Sequence, residues 1–363
     1  EILQYAAAED ATSLPAGTFQ NGTFMDTYAA ILADKIRQAT GADKPLDGFR
    51  IVVDAGNGAG GFYVEKGLKP LGAYTEGSRF LDPDGRFPNH IPNPEDHEAM
   101  ASITSAVRES KADLGIIFDT DVDRAGAVLA DGSELNRNRI MAMLSAILLR
   151  EHPGTTIVTD SITSTGLAKF IQGKGGIHHR FKRGYRNVIN ESIRLNQLGQ
   201  DSQLAIETSG HGALKENYFL DDGAYLVTKL LIELARGKKE GYTLESLIDG
   251  LEEPAESVEF RMNILQDDFK TYGTEVIEAL TQYAANQEGW SLAADNYEGV
   301  RVNLDTDHGE GWFLLRLSLH DPLLPLNIES NRVGGAKIIA AELQTFLERF
   351  DRLDSASIQS YIK

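Results

Sequence analysis

Residues 114–126 read Leu114-Gly115-Ile116-Ile117-Phe118-Asp119-Thr120-Asp121-Val122-Asp123-Arg124-Ala125-Gly126. The apolar run is a buried strand by pattern, and three carboxylates at alternate positions crowd its end. Like charges so close together need either a cation among them or open water around them. The same grammar recurs elsewhere. Phe49-Arg50-Ile51-Val52-Val53-Asp54 is a strand ending in an acid, and it runs into the small-residue loop 55–61 and a helix. At 156–176, "TIVTD" is followed by "SITSTG", the helical "LAKFIQ" and "GKGG". Each copy has a second acid-ended strand, "LGIIFD" to Asp119 and "QLAIE" to Glu207. This weak internal repeat predicts two similar mixed α/β domains, at 22–128 and 129–252. After Glu252-Glu253-Pro254, "SVEFRMNIL", "GVRVNLD" and "GWFLLRLSLH" alternate like antiparallel strands and a helix covers 334–350, so a smaller α+β domain is expected over 256–352. Residues 1–21 are expected as a linker or the remnant of a preceding domain, and 353–363 as a tail.

The remaining bounds narrow the function. With 363 residues, 42% of them apolar, the chain can bury real cores in two or three domains. No apolar run approaches the ~20 residues that cross a bilayer, so no membrane partner is expected. A net charge of −19 argues against nucleic acid, whose backbone repels such a surface. The absence of cysteine rules out disulfides, thiolate metal sites and a cysteine nucleophile. Against this acidic background, His178-His179-Arg180-Phe181-Lys182-Arg183-Gly184-Tyr185-Arg186 is a basic knot. The helix expected at 24–40 carries Tyr28, Ile31, Leu32 and Ile36 on one face.

Four loops carry residues suited to chemistry. Asp119, Asp121 and Asp123 at i, i+2, i+4 can converge their oxygens on one hard divalent cation, Mg2+ foremost. An EF-hand is excluded, because position 6 of such a loop is Arg124 rather than Gly and position 12 is Ala130 rather than Glu. "IIFDTDV" also satisfies the pattern of dehalogenase-type phosphatases, in which Asp119 would be the nucleophile and Asp121 an acid/base. The second loop, Glu207-Thr208-Ser209-Gly210-His211-Gly212, pairs a carboxylate with a hydroxyl in the way vicinal sugar hydroxyls require, and His211 can exchange protons near neutral pH. Lys182, Arg183 and Arg186 around Gly184 can hold an anion. Arg316-Leu317-Ser318-Leu319-His320-Asp321-Pro322 joins an arginine fork, a hydroxyl and a turn, a cradle for phosphate. Solvated loops and plain turns are the structural alternatives for each.

In that order, and with "DPDGRFPNHIPNPED" (82–96) and "KENYFLDDGAY" (215–225), the motifs resemble the α-D-phosphohexomutase superfamily over about 20–352. The resemblance implies that Asp119, Asp121 and Asp123 hold Mg2+ and that Arg124 faces the phosphoryl group in transit. It further implies that Glu207 and Ser209 grip the sugar, that His211 carries a proton, and that Arg316, Ser318 and His320 hold the non-reacting phosphate. Lys182, Arg183 and Gly184 would contribute to substrate binding. The reaction implied interconverts hexose 1- and 6-phosphates of glucose or mannose, with hexose 1,6-bisphosphate as intermediate and activator.

Departures accompany the likeness. Thr120 and Val122 stand where the family's metal loop has glycines, removing backbone freedom while keeping every ligand. Leu319, His320 and Asp321 replace residues of the usual phosphate loop. The family's serine loop, which carries the phosphoryl group, has no counterpart here. A fragment of a mutase, with the phosphoserine domain supplied in cis or as a separate polypeptide, is therefore expected and would be inactive alone. A non-catalytic sugar-phosphate binder is the alternative, and a Mg-dependent dehalogenase-type phosphatase the third. A cytoplasmic location is expected, or the plastid stroma if a transit peptide precedes Glu1.

Overall fold

Each apolar run that the sequence sets before an acid forms a strand of a mixed sheet in the computed structural model, which describes residues 17–318 and 321–363. The first unit contains α1 (Phe24–Thr40), β1 (Ile51–Asp54), a helical stretch over 59–71 with 3-10 and π turns, α2 (His97–Ser110), β2 (Leu114–Phe118), β3 (Ala125–Leu129) and β4 (Glu134–Leu135). β1 and β2 are parallel, with Asp54 opposite Ile117, and β3 returns antiparallel to β2. The second unit contains α3 (Arg137–Glu151), β5 (Thr156–Thr159), α4 (Thr165–Gly173), β6 (Ile177–Arg180), α5 (Tyr185–Gln197), β7 (Ser202–Ile206), β8 (Gly212–Leu214) and α6 (Gly223–Glu240). Its sheet order is β6-β5-β7-β8, with β5 parallel to both neighbours and β8 antiparallel to β7. In the first unit, parallel bridges from Arg50 to Tyr74 and from Asp54 to Arg79 place segment 74–79 where β6 stands in the second. The repeat seen in the sequence is thus a repeat of topology, and Asp54, Asp119, Asp160 and Glu207 all stand at the carboxyl ends of strands, where α/β sheets bind ligands.

The two units share one hydrophobic core, in which Leu32 and Ile36 of α1, Leu144 of α3, and Leu226 and Leu230 of α6 are all buried. The Tyr28 hydroxyl donates to Asp222 Oδ1 at 2.6 Å, pinning α1 to the start of α6. Asp222 also caps α6, accepting from Tyr225 N. One expectation fails on α1. Its buried face is Ala29, Leu32, Ala33 and Ile36, and Ile31, one position off that stripe, is 55% exposed.

After α7 (Leu244–Leu247), the third unit has its own core and an antiparallel sheet. It comprises β9 (Glu256–Asn263), α8 (Phe269–Ala284), β10 (Trp290–Leu292), β11 (Val300–Leu304), β12 (Gly311–Leu315), β13 (Leu323–Ser330), α9 (Gly335–Leu347) and α10 (Ala356–Ile362), with sheet order β10-β11-β12-β13-β9. β12 stops at Leu315, short of the strand expected through His320. β13 went unanticipated because Pro325 interrupts its pattern. Pro325 pairs with Arg261 of β9 just beyond the end of β12, and its carbonyl still accepts from Arg316 N at 3.1 Å. Residues 353–363, expected as a tail, belong to this layer. Leu353 bridges to Ile264 and Ile358 is fully buried.

The third unit is fastened to the second by Arg301. Its guanidinium is buried over the Trp312 ring, 3.5 Å from the ring centre, and donates to the carbonyls of Ser161 (2.8 Å) and Thr163 (3.1 Å). Asp295 adds an ion pair to Arg180 at 2.5 Å. Among the described residues, no helix is long and apolar enough to cross a membrane.

Candidate active site

The loop after β2 gathers its acids. One oxygen from each of Asp119, Asp121 and Asp123 lies within 4.8 Å of the others. Asp119 is buried, and its oxygens accept from Arg124 N (3.1 Å) and Arg124 Nε (3.0 Å). Burial, and then the Asp123 carboxyl beside it, raise the Asp119 pKa against the pull of the Arg124 N–H. Among the described residues Asp123 Oδ1 is buried with no hydrogen-bond partner, the nearest cation being Arg124 Nε at 3.8 Å. An orphaned carboxylate oxygen in an all-oxygen donor set is what a hard divalent cation satisfies, so these residues fit Mg2+.

The lost glycines have not straightened this loop. Val122 sits at φ 72, a left-handed conformation that costs a β-branched residue roughly 1–2 kcal/mol. Its side chain is buried in the shared core, and its carbonyl accepts from Gly223 N at 3.0 Å, so α6 holds the loop in place. Gly223 is needed for that approach, since a Cβ there would lie 2.7 Å from the Arg124 carbonyl carbon. Arg124 is aimed from two sides, by Asp119 and by Asn93 Oδ1, which accepts from Nη1 at 3.2 Å.

The loop after β7 lies against this one through an antiparallel bridge between Arg124 and His211. Glu207 is buried; one oxygen accepts from Gly184 N and the other from Ser209 Oγ at 3.3 Å. Burial first, then the charge of Asp160, push the Glu207 carboxyl up to about 7, while the Gly184 N–H and Arg183 restrain the rise. His211 Nδ1 is 2.7 Å from Asp221 Oδ2, and its ring stacks on Tyr185 at 4.9 Å. Donation from Nδ1 leaves the lone pair of neutral His211 on Nε2. Burial would lower the His211 pKa, but the Asp221 hydrogen bond and charge, with Asp123 behind them, outweigh it and the net shift is upward.

The basic knot divides. Lys182 and Arg186 are exposed, while Arg183 is half-buried and lines a cleft of about 540 Å3 with Thr208, Glu95 and Glu259. The Gly184 N–H is committed to Glu207. Among the described residues Arg316 Nε is buried without a hydrogen-bond partner, and its pKa is pulled down by burial and then by the charge of Arg183. Burial lowers the Arg183 pKa, but the charges of Asp160, Glu95, Glu207 and Glu259 outweigh it, so carboxylates surround this neighbour of Arg316. Ser318 Oγ accepts from Asp321 N at 3.2 Å, and the Asp321 side chain is exposed. His320, like Leu319, lies outside the described residues.

Four positioning groups were not picked out as site residues from the sequence. Asp160 and Asp221 were visible as acids at a strand end and in "LDDGAY", and Asn93 lies within the 82–96 segment. Glu298, which accepts from Arg183 N at 3.2 Å across the unit boundary, had no local signal.

Comparison with known proteins places the two α/β units in a family. Residues 26–132 match the phosphoglucomutase/phosphomannomutase α/β/α domain II model, and 136–254 match the domain III model. A phosphomannomutase/phosphoglucomutase of Pseudomonas syringae pv. tomato is 31% identical over 345 residues, covering 94% of this chain and 66% of the relative. A phosphoglucomutase of Neisseria gonorrhoeae is 30% identical over 300 residues, covering 82% and 61%. The chain thus spans somewhat less than two thirds of the length of these curated relatives. Among solved structures, a phosphoglucomutase/phosphomannomutase family protein from Burkholderia thailandensis superposes with a TM-score of 0.72 at 27% identity, over 88% of this chain and 64% of that one. An Aspergillus fumigatus N-acetylphosphoglucosamine mutase in complex with GlcNAc-6P and magnesium shares the fold, with a TM-score of 0.57 at 13% identity, over 88% and 69%. With its two α/β units matched in order by the family's domain II and domain III models, the chain belongs to the phosphoglucomutase/phosphomannomutase family of the α-D-phosphohexomutase superfamily.

Proposed function

We propose that these residues form the metal, sugar and phosphate sites of a phosphohexomutase that interconverts the 1- and 6-phosphates of glucose or mannose through hexose 1,6-bisphosphate. The observation that carries this reading is the bridge between Arg124 and His211, which sets the carboxylate loop directly beside the Glu207–Ser209 loop. Arg183 and Arg316 would offer their guanidiniums to the phosphate at the substrate's other end. The serine that relays the phosphoryl group would come from sequence beyond these residues. The fungal complexes with magnesium and with glucose 1,6-bisphosphate support the same choice of ion and intermediate.

In this reading Asp119, Asp121 and Asp123 would hold Mg2+, which supplies charge neutralisation during phosphoryl transfer. Arg124, aimed by Asp119 and Asn93, faces the transferred group. Glu207 accepts hydrogen bonds from sugar hydroxyls, and Ser209 completes the grip. His211, with Nδ1 tied to Asp221, offers Nε2 to the hydroxyl that attacks and returns the proton when the ester re-forms. The dehalogenase-type phosphatase has less support, because Arg124 engages both oxygens of Asp119, the nucleophile it would need.

The test is calorimetry with Mg2+ present. Glu207→Ala should weaken glucose 1-phosphate at least about tenfold more than inorganic phosphate, the loss of one charged hydrogen bond. Equal losses for the two ligands would reduce the loop to scaffolding.

A further inference from the structure

Asp54 and Asp160 occupy the same place in the two units, at the end of the first strand, but they are satisfied differently. Asp54 accepts from Gly56 N (2.9 Å), His90 Nε2 (3.0 Å) and Ser102 Oγ (2.6 Å), all within its own unit. Asp160 is fully buried, and among the described residues its carboxylate accepts from Thr208 alone, from Oγ1 at 2.7 Å and more weakly from N at 3.4 Å. The burial of a carboxylate is poorly offset by one hydroxyl, so stability is a weak reason for it. Arg183, Arg180, Arg301 and Arg316 lie within electrostatic reach, as do Glu207 and Glu298, and none of these pairs with Asp160 directly. What Asp160 does hold is the residue between Glu207 and Ser209.

We propose that Asp160 is a positioning residue for sugar recognition. By fixing the hydroxyl and N–H of Thr208, it sets the directions of Glu207 and Ser209 toward the sugar hydroxyls. The inference rests on the sugar-loop reading above, but its effect on the loop needs no ligand.

The full 363-residue chain is examined as wild type, Asp160→Asn, Thr208→Val, Thr208→Ser and the Asp160→Asn/Thr208→Val double variant. Asparagine turns an N–H2 toward the Thr208 N–H, and valine removes the donated hydroxyl while keeping its shape. Amide hydrogen exchange of 207–211 without ligand should quicken about tenfold in Asp160→Asn and Thr208→Val, the loss of one buried hydrogen bond, and stay unchanged in Thr208→Ser. With Mg2+ present, the Kd for glucose 1-phosphate should rise about tenfold in the same two variants while that for inorganic phosphate holds. The double variant should be no worse than either single change. Unchanged exchange in both variants overturns the proposal. So does tighter phosphate binding by Asp160→Asn with sugar discrimination intact, which would make Asp160 a counter-charge for Arg183. If Asp160→Asn does not fold, the contrast of Thr208→Val with Thr208→Ser decides. A wild-type chain that binds no sugar phosphate refutes the proposed function, and the exchange result still decides whether Asp160 orders the loop.

Discussion

Replacing Glu207 by glutamine should stabilise the protein, and do so more as the pH rises. Glu207 is 4% exposed, and burial, followed by the Asp160 charge, moves its pKa from the ordinary 4.5 to about 7. The native state therefore keeps this proton over a range in which the unfolded chain has released it. That contribution to stability is complete below about pH 4.5 and is lost as the pH climbs through about 7. At about 1.36 kcal/mol per unit, ionising Glu207 costs the native state roughly 1 kcal/mol near pH 5.5 and roughly 3 kcal/mol near pH 8. Glutamine carries no such cost, and its amide oxygen can still accept the Gly184 N–H. Urea unfolding of both proteins should show the advantage of Glu207→Gln growing by about 2 kcal/mol between those pH values. A carboxyl carbon titration by NMR should place the Glu207 midpoint near 7. A glutamine effect of equal size at both pH values, or a midpoint near 4.5, would refute the reasoning.

Asp119→Ala and Asp123→Ala should each abolish Mg2+ binding in calorimetry, whereas Asp121→Ala, at the exposed edge, should leave weaker binding; three equal losses would contradict the unequal burial seen here. Arg316→Ala should weaken glucose 1-phosphate and inorganic phosphate alike by about tenfold or more, since it removes a charged donor to phosphate rather than to sugar. Arg301→Ala leaves the Ser161 and Thr163 carbonyls without their donor, at a cost of about 1–3 kcal/mol each at most. Limited proteolysis should then cut between the second and third units, near 252–256, faster than in the wild type.

The strands and their acids were legible because a buried strand in a mixed sheet is a short continuous apolar run, and the residue that stops it stands out. That signal placed Asp119, Glu207 and the topological repeat. It was silent on what crosses the sheets. The shared core of α1, α3 and α6 depends on helix faces meeting over long separations, and Ile31 was set on the wrong side of its helix by an apolar pattern that the packing refined. β13 was hidden by Pro325, whose missing donor matters little beyond the end of β12. Glu298 and Arg301 join the active-site loops from more than 100 residues away, |i−j| being 115 and 140, and no local spacing announces such contacts. The basic knot illustrates the intermediate case. Its composition was plain, but which of its cations turns toward the cleft is settled by the start of α5 and the carboxylate of Glu207.

Val122 has a further consequence. Glycine reaches a left-handed bend at no steric cost wherever it is placed; a valine at φ 72 is held in its bend by its surroundings. Cut out as a peptide, 118–126 would relax to an extended backbone and its three carboxylates would splay apart. The convergence of these carboxylates is therefore a property of the folded molecule rather than of the motif. If the loop holds Mg2+ as proposed, metal affinity would gauge whether α6 is seated, and any event that lifts Gly223 from the Val122 carbonyl would also release the ion.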